Sequence, residues 1–344
     1  MGRLLAVGAV LLGGVIAMGV LATSTPPPRP IPKRSEKPPP PTREEKLRAE
    51  TLPEVLQPLL KVAQPKLPSG PGDWLTEHPE DGQSLAQHKV DCSPVVGRTV
   101  YLVPTSELES KPAALKVFAT LEPLLAAHFQ LPVKRLPALS AKEAGKSERL
   151  NDYGPQWLTH DILEALKKVK PADAAAVMAI TTTDLYPDPE WNFVFGEASY
   201  EERVGVMSLA RTGELEVDGL KVLERSYATA MHEVGHMFQL QHCVAWECPM
   251  NGCNHQEEAD SRPMEPCPHC LAKLMLATGL DPKKRWIELR AAFAAAGLTR
   301  GVKEIDRALS QYGADGGLRE DQRKEGELPV AVPDAGERVR AANE

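Results

Sequence analysis

The sequence has no excess of basic residues. Its 344 residues include 40 lysines and arginines against 47 aspartates and glutamates, so the formal net charge is −7 at pH 7. Proteins that bind nucleic acid as their main partner need clustered Lys and Arg to neutralise phosphates. The composition therefore argues against a nucleic-acid partner. There is also no internal repeat, while 42% hydrophobic and 25% charged residues are ordinary for a globular protein with a sizeable core.

Charge is missing altogether from one long stretch near the N-terminus. Residues 4–22 (LLAVGAVLLGGVIAMGVLA) are apolar and follow a single basic residue, Arg3. The stretch is long for the core of a signal peptide and just long enough to span a bilayer. Since no clean A-x-A cleavage site follows, residues 1–24 are interpreted either as a cleaved signal peptide or as an N-terminal membrane anchor. In both cases we expect the folded domain to lie outside the cytoplasm.

Proline, in contrast, is abundant, with 32 copies. Residues 25–42 contain PPPRPIP and KPPPPT, which predict an extended, semi-rigid linker. Composition changes near Arg43, and residues 43–313 are predicted to form the folded domain. Residues 314–344 are polar, contain Gly and Pro, and are predicted to be a disordered tail.

Predicted strands and helices alternate through the first half of this domain. The elements, in order, are a strand at 99–103, a helix at 111–130 despite Pro123, a strand at 132–136, an amphipathic helix at 155–168 and a strand at 174–182. This alternation indicates an α/β fold with crossover helices and a largely parallel sheet.

The remaining elements are predicted from shorter patterns. A short amphipathic helix is expected between residues 42 and 68, and two more strands at 192–196 (NFVFG) and 205–210 (GVMSLA). After Cys270, the segments LAKLMLATGL, KKRWIELRAAFAAAGL and GVKEIDRALSQYG predict three helices.

The stretch HEVGHMFQLQHCVAWECPM, which begins at His232, contains three histidines, two glutamates and two cysteines. His232 and His236 are four residues apart, so on a helix they share one face and can bind one ion. Glu233 lies about 100° round the helix from His232, a position that suits holding water rather than metal. His242 can join them only if the chain turns near Gln239.

If the chain makes that turn, the imidazoles supply three nitrogen ligands and leave the fourth tetrahedral position open, as in catalytic zinc sites. Such a site supports hydrolysis, with zinc activating water and Glu233 accepting the proton and delivering it to the leaving amine. An HExxH pair alone can also be a solvated or packed pair of histidines. The third histidine at this spacing favours the metal site.

A second set of candidate ligands begins next to the first. Cys243, Cys248, Cys267 and Cys270 are spaced C-x4-C and C-x2-C, which is typical of a closed, structural zinc site with four thiolates. Because neighbouring side chains of an extended segment point to opposite sides, His242 and Cys243 can serve different metals. The sequence therefore predicts two zinc ions, one catalytic and one structural.

Alternatives remain open for the cysteines. Disulfide bonds are more credible in an exported protein, although a C-x2-C disulfide is strained. Cys92 and Cys253 are left over and either pair in an oxidising compartment or remain thiols, and Cys253 could replace Cys248 as a ligand. His255 and His269 are expected to be surface histidines.

The combined pattern resembles that of the archaemetzincins, whose motif is an extended HExxHxxGxxH joined to C-x4-C-x-M and a later C-x2-C. The segments GDWLTEHPEDGQSL, VYLVP, TTTDLYPDPEWNFVFGEAS and VMSLAR resemble family segments in the same order, and the likeness covers about residues 52–275. It implies an α/β fold with a metzincin-like twisted mixed sheet, mostly parallel with an antiparallel edge strand, over the active-site helix. A smaller Cys-zinc and helical C-terminal subdomain would follow.

The resemblance also implies roles for individual residues. His232, His236 and His242 would bind the catalytic zinc, Glu233 would be the general acid/base, and the four cysteines would bind the structural zinc. Met250 would form the methionine turn beneath the catalytic metal, although without the resemblance it is equally well a core residue. The implied activity is that of a zinc metallopeptidase that cleaves peptide or protein substrates.

One residue departs from the family pattern. Gln239 stands where the family usually has glycine, and a non-glycine residue in a left-handed conformation costs about 1 kcal/mol. A displaced His242 would weaken the metal site. A second class of function therefore stays open, a catalytically weak or inactive zinc-binding protein that binds peptides or partners.

The segment NFVFG has two interpretations. It either forms the antiparallel edge strand that aligns extended substrates by β-augmentation or is an ordinary edge strand. On the second interpretation Trp191, Phe193 and Phe195 serve packing only. The sequence does not distinguish an endopeptidase from an aminopeptidase.

Overall fold

The computed structural model describes most of the chain, at residues 40–92, 97–152 and 154–312. The N-terminal segment 1–24, nearly all of the linker and the tail 314–344 lie outside the described residues. Within the described ranges, no helix is both long and apolar enough to cross a bilayer. The domain boundaries at 43 and 313 stay predictions.

Strands occur throughout the first two thirds of the domain. They are β1 (Thr99–Pro104), β2 (Val133–Arg135), β3 (Glu148–Asn151), β4 (Gly154–Leu158), β5 (Ala174–Thr181), β6 (Asp184–Tyr186), β7 (Gly196–Ser199) and β8 (Val204–Ser208). One sheet has the order β2-β1-β5-β8-β7, parallel except for the edge strand β7. This arrangement confirms the predicted mixed sheet with an antiparallel edge. A smaller sheet, β3-β4-β6, was not predicted.

Helices cover both faces of the main sheet. The α-helices are α1 (Arg43–Arg48), α2 (Trp74–Glu77), α3 (Leu85–Asp91), α4 (Ser106–Glu109), α5 (Pro112–Phe129), α6 (Ala141–Ala144), α7 (Thr159–Val169), α8 (Gly219–Met237), α9 (Gln256–Ser261), α10 (Pro268–Thr278), α11 (Pro282–Ala295) and α12 (Thr299–Leu309). Two 3-10 helices lie at Glu54–Lys61 and Ser310–Tyr312. The single helix expected between 42 and 68 is thus divided in two, since Pro53 and Pro58 lack the N–H that a continuous α-helix needs.

Alternate residues of the central strands face two different cores. Val100 and Met178 belong to the core formed with α5 and α8, whereas Tyr101 and Val177 belong to the core under α7. Since side chains alternate along a strand, β1 and β5 are covered on both faces and are buried along their whole length. One face of the sheet therefore packs against α8.

The C-terminal helices share the core of the sheet layer. Trp286 and Phe293 of α11 are fully buried in the cluster that also contains residues of α5 and α8. Arg285, also fully buried, donates to the backbone oxygen of His128 at 2.7 Å and to the Glu265 carboxylate at 2.5 Å. The helical C-terminal part is thus packed firmly onto the layer that carries α8.

The helix predicted at 155–168 is wrong in its first part. Residues 154–158 form strand β4, and α7 begins only at Thr159. The buried amide of Gln156 donates to Asp184 and to the backbone oxygen of Asn192, both at 2.8 Å. These polar contacts with distant residues stabilise a strand where the local apolar spacing favours a helix.

The edge strand lies just after its predicted position. Strand β7 begins at Gly196, the last residue of NFVFG, and runs antiparallel to β8. A Cβ atom on Gly196 would lie 2.7 Å from Oε1 of Glu233, so a larger side chain does not fit where the strand crosses α8. The aromatic residues Phe193 and Phe195 instead line a cleft. The strand thus begins with the glycine that packs directly against Glu233, and the aromatic residues of higher strand propensity precede it.

Candidate metal centres and catalytic cleft

Helix α8 carries two histidines to the floor of this cleft. The Nε2 atoms of His232 and His236 are 2.9 Å apart, and each residue is only 7% exposed. The helix ends at Met237, and Gln239 adopts a left-handed φ of 67°. This turn brings the ring of His242 to 5.3 Å from that of His232 and 5.0 Å from that of His236, centroid to centroid.

Hydrogen bonds hold Gln239 in its unfavourable conformation. The side-chain amide of Gln239 donates to the backbone oxygen of Tyr200 at 2.5 Å. The backbone oxygen of Gln239 accepts from the side-chain amide of Gln83 at 3.0 Å. The backbone N–H of Leu240 bonds to Gly235 O at 3.1 Å. The turn therefore forms without glycine, and His242 is not displaced.

Each of the three imidazoles is oriented by a hydrogen bond at Nδ1. The contacts are His232 to Pro249 O at 2.8 Å, His236 to Leu240 O at 2.7 Å, and His242 to the Glu80 carboxylate at 2.8 Å. An Nδ1–H that donates to such an acceptor leaves Nε2 unprotonated. The ligand atoms of the three residues lie within 4.8 Å of one another.

This donor set fits a metal ion. Two unprotonated nitrogens 2.9 Å apart repel each other, and a cation bound by both removes that repulsion. Burial lowers the pKa of His232 well below its usual value and lowers the pKa of His236 to about 3. Both rings are therefore neutral, as metal ligands must be.

Glu233 lies beside the histidines, against the edge strand. It is 5% exposed. Burial, together with the nearby carboxylate of Glu197, raises its pKa to about 8. A carboxyl group whose pKa is near the working pH is suited to both accepting and donating a proton.

Met250 packs beneath the histidines. It is 1% exposed, and a Cβ atom on Gly235 would lie 2.7 Å from its sulfur, so the thioether touches α8 between the two ligand positions. Its backbone oxygen accepts from the N–H of Cys243 at 2.8 Å. Met250 is thus both a core residue and part of the loop that connects the histidine and cysteine groups.

The four predicted cysteine ligands form a second group. The sulfurs of Cys243, Cys248, Cys267 and Cys270 lie within 4.8 Å of one another, and all four residues are buried. The Cys243 and Cys267 sulfurs are 3.8 Å apart, much farther than in a disulfide. Hydrogen bonds, first from Cys248, lower the pKa of Cys243 well below its usual value. The set fits a tetrahedral thiolate site.

Residues 116–276 match the model of Peptidase family M54. The chain is 35% identical over 271 residues to archaemetzincin-2 of Macaca fascicularis, an alignment that covers 68% of this chain and 75% of that protein, and the values for archaemetzincin-2 of Homo sapiens are the same. The chain belongs to the archaemetzincin family. It is therefore a zinc metallopeptidase, a hydrolase, as the resemblance predicted.

Solved archaemetzincin structures are also similar to this chain. The crystal structure of archaemetzincin from Methanopyrus kandleri is 27% identical, and the superposition covers 52% of this chain and 94% of that chain with a TM-score of 0.43. Among the described residues of the present chain, the histidine group and the cysteine group each offer ligands that fit zinc, and Asp73, His255 and Glu258 form a third, more exposed group of possible ligands.

The other cysteines do not join the archaemetzincin pattern. Cys253 lines the catalytic cleft, and Cys248 keeps its place among the four sulfurs. Cys92 follows α3, with its sulfur 3.9 Å from Phe238 O. All six cysteines are among the described residues and none forms a disulfide, so the structure does not support the disulfide alternative.

The expectation of a surface position is wrong for His269. It is 5% exposed in the first turn of α10, and the indole N–H of Trp246 donates to its Nδ1 at 3.0 Å. Its helix packs on the cysteine loop, which a local pattern does not reveal. His255 is partly exposed and caps α9, with Nε2 3.1 Å from Asp73.

Sequence reasoning did not single out several residues of the cleft. Glu80, which holds His242, is 162 positions away from it. The Tyr200 hydroxyl lies 3.0 Å from Nδ1 of His236, and the guanidinium of Arg262 lines the cleft. No fixed spacing links these residues to the HExxH motif, so only the folded chain reveals them.

The cleft has a volume of about 390 Å³ and runs between β7 and an aromatic rim. Trp191 stacks on His78 at 5.3 Å and lies 6.3 Å from Trp74, centroid to centroid. Phe193 and Phe195 meet edge to face at 5.3 Å. These aromatic residues line the cleft as well as packing on one another, so they can contact a bound peptide.

Proposed function

We propose that this chain hydrolyses peptide bonds in the cleft above α8, with zinc held by His232, His236 and His242 and with Glu233 as general acid/base. The observation that carries the proposal is the convergence of three imidazoles, whose ligand atoms lie within 4.8 Å of one another and whose Nδ1 atoms all have hydrogen-bond partners. Glu233 lies at the only other position of the HExxH motif that suits proton transfer.

Each group of the site has a distinct task. Zinc, when bound, polarises the substrate carbonyl and activates water. The Glu233 carboxylate accepts a proton from the attacking water and donates it to the leaving amine. The carboxyl group packs against Gly196 of the edge strand, which holds it at the side of the cleft where the proposed peptide path runs.

Strand β7 would align the substrate. It is an edge strand that pairs only with β8 in the main sheet, and residues 196–198 line the cleft. An exposed sheet edge binds extended peptides through backbone hydrogen bonds. The proposed β-augmentation therefore uses β7 rather than the whole of NFVFG, while the aromatic rim contacts side chains.

We propose that Cys243, Cys248, Cys267 and Cys270 hold a second, structural zinc. The support is a closed set of four buried sulfurs, which matches structural rather than catalytic zinc sites. The alternative function, a weak or inactive zinc-binding protein, depended on displacement of His242 by Gln239. Since Glu80 bonds to His242 and His242 lies beside the other histidines, displacement of His242 is no longer an argument for the alternative function.

The test is cleavage of a diverse peptide mixture, read by mass spectrometry, by the wild type and by Glu233→Ala at matched zinc content. Loss of a general acid/base should lower turnover by about 100- to 10,000-fold. Cleavage by the wild type alone is the expected result, and the cut positions would distinguish endopeptidase from aminopeptidase. If neither protein cleaves while both hold zinc, the chain is a binding protein.

We also propose that the domain acts outside the cytoplasm, either exported or anchored through its N-terminus. The support is the uncharged segment 4–22 followed by the proline-rich linker. Protease digestion of intact cells that express the full chain should degrade or release the domain. Protection of the domain until the cells are lysed would refute this localisation.

A further inference from the structure

Arg262 is a buried cation at the catalytic cleft. It follows α9 as its C-terminal cap, is 7% exposed, and lines the cleft together with Thr229 and Glu233. Within the part of the chain that the structure describes, no carboxylate lies within the 4.0 Å of an ion pair from its nitrogens. A buried charge without a partner is costly, so this residue needs an explanation.

Backbone oxygens orient the guanidinium without neutralising it. Nη1 donates to Asn251 O at 2.7 Å and lies 3.4 Å from Pro249 O, while Nε donates to Ala259 O at 3.3 Å. Nη2 makes no hydrogen bond to the described residues, yet it is not among the fully enclosed polar atoms that lack a partner. Solvent therefore reaches Nη2, from the cleft or from a neighbouring pocket of about 30 Å³ that Arg262 lines together with Phe195 and Asp260.

Three other shielded arginines of the domain are paired with carboxylates. Arg285 binds Glu265 at 2.5 Å, Arg225 binds Asp260 at 2.6 Å, and Arg211 binds Asp184 at 2.7 Å. These pairs show how the fold usually neutralises such side chains. Arg262 has no such pair and lines the cleft, where a substrate can supply the negative charge.

The carboxylates of the cleft do not fill this role. The Glu233 carboxyl group lies against the backbone of β7, since a Cβ on Gly196 would touch it at 2.7 Å. The Glu197 carboxylate accepts a hydrogen bond from the Thr159 hydroxyl. The Arg262 charge acts on the Glu233 carboxyl group, but neither carboxylate is within ion-pair distance of the guanidinium, so its free N–H groups remain available to a ligand.

We infer that Arg262 binds a carboxylate of the substrate, so that the cleft selects peptides with an acidic group close to the scissile bond. A guanidinium held by fixed acceptors presents its remaining N–H groups to a carboxylate in a defined direction. The acidic group is either an Asp or Glu side chain or the free C-terminus of the peptide. This inference rests on the proposed peptidase function.

The test uses peptide pairs that differ in one charge. One pair has Glu or Gln at the position that the wild-type cleavage pattern identifies, and a second pair ends in a free or an amidated C-terminus. The wild type should prefer the acidic member of one pair, and that pair identifies the source of the carboxylate. In Arg262→Gln, kcat/KM for that acidic peptide should fall by about 10- to 100-fold, the loss expected for a charged hydrogen bond.

A structural role of Arg262 would give a different result. If the side chain only holds the loop through Pro249 and Asn251, its replacement lowers kcat/KM equally for the acidic and neutral peptides. Arg262→Lys keeps the charge without the planar fork and should retain part of the preference. Arg290→Gln, in an exposed pair with Asp306 on α11 and α12, is the matched control and should change neither value.

The outcomes separate the inference from the proposed function. Cleavage by the wild type with no acidic preference overturns the inference alone, as does an equal loss for both peptides in a folded Arg262→Gln. If the wild type cleaves nothing, fluorescence anisotropy of the labelled pairs with wild-type protein measures recognition directly. Equal binding of the acidic and neutral peptides then overturns the inference too, whereas tighter acidic binding that Arg262→Gln abolishes supports it.

Discussion

Glu80→Gln should weaken zinc binding at the histidine site through His242. The Glu80 carboxylate accepts hydrogen bonds from His242 Nδ1 at 2.8 Å and from the indole N–H of Trp74, also at 2.8 Å. Both bonds end on Oε1, so a glutamine oxygen in that position can accept both, but the amide nitrogen replaces Oε2, which lies 3.1 Å from His242 Nδ1 and can no longer accept from it. The substitution therefore loses at least one bond as well as the negative charge that makes the imidazole a stronger ligand.

The magnitude follows from the exposure of the pair. Removing a partner of a metal-bound histidine typically costs about 10- to 100-fold in metal affinity. The side chain of Glu80 is 30% exposed and that of His242 is 16% exposed, so solvent screening places the effect near the lower limit. We expect the zinc dissociation constant to rise about tenfold, or about 1.4 kcal/mol.

Competition with a chromogenic zinc chelator at neutral pH measures this change. The affinity of the histidine site for zinc should fall while that of the cysteine site is unaffected, and added zinc should restore activity. Glu190→Gln, an exposed residue, removes the same charge and should leave zinc affinity as in the wild type. An unchanged affinity in Glu80→Gln would show that Glu80 does not hold His242 as a ligand.

Three further predictions concern stability. Gln239→Gly should be more stable to urea than Gln239→Ala by about 1 kcal/mol, because both lose the amide bond to Tyr200 and only alanine keeps the left-handed strain; equal stability would argue against strain. Cys248→Ser should lose one zinc per chain and about 3 kcal/mol or more of unfolding free energy, measured by metal analysis and urea unfolding. Burial, followed by the Arg285 charge, lowers the pKa of His128 well below its usual value, so the unfolded state binds this proton more tightly. Stability should fall as the pH drops below about 6.5, by up to about 1.4 kcal/mol per pH unit, and a His128→Gln protein with the same pH slope as the wild type would contradict this.

Local spacing predicts the metal ligands well. His232 and His236 are on one face of any helix that contains them, and Cys267 and Cys270 are one turn apart, so covalent geometry alone brings each pair together. The buried strands β1 and β5 are equally local, since continuous β-branched and apolar runs favour them. These features require no knowledge of the rest of the chain.

Features that depend on distant contacts could not be predicted. Glu80 reaches His242 only because the loop after α2 folds over the cleft. The edge strand is set by its pairing with β8 from Gly196 onward, and position 196 requires glycine because Glu233 leaves no room for a larger side chain there. The buried position of His269 depends on Trp246. In each case, tertiary packing decides between structures that the local pattern leaves equally favourable.

The two metal groups share one segment, and this makes them interdependent. His242 and Cys243 are adjacent, the N–H of Cys243 donates to Met250 O at 2.8 Å, and the next carbonyl back, that of Pro249, accepts from His232. Movement of the cysteine loop therefore shifts one histidine ligand directly and removes the acceptor that orients another. A closed thiolate site fixes this loop, so its loss in Cys248→Ser should also weaken zinc at the histidine site, although no histidine is changed. A Cys248→Ser protein that remains folded and binds zinc at the histidines with wild-type affinity would show instead that the α8 helix and Glu80 orient the ligands by themselves.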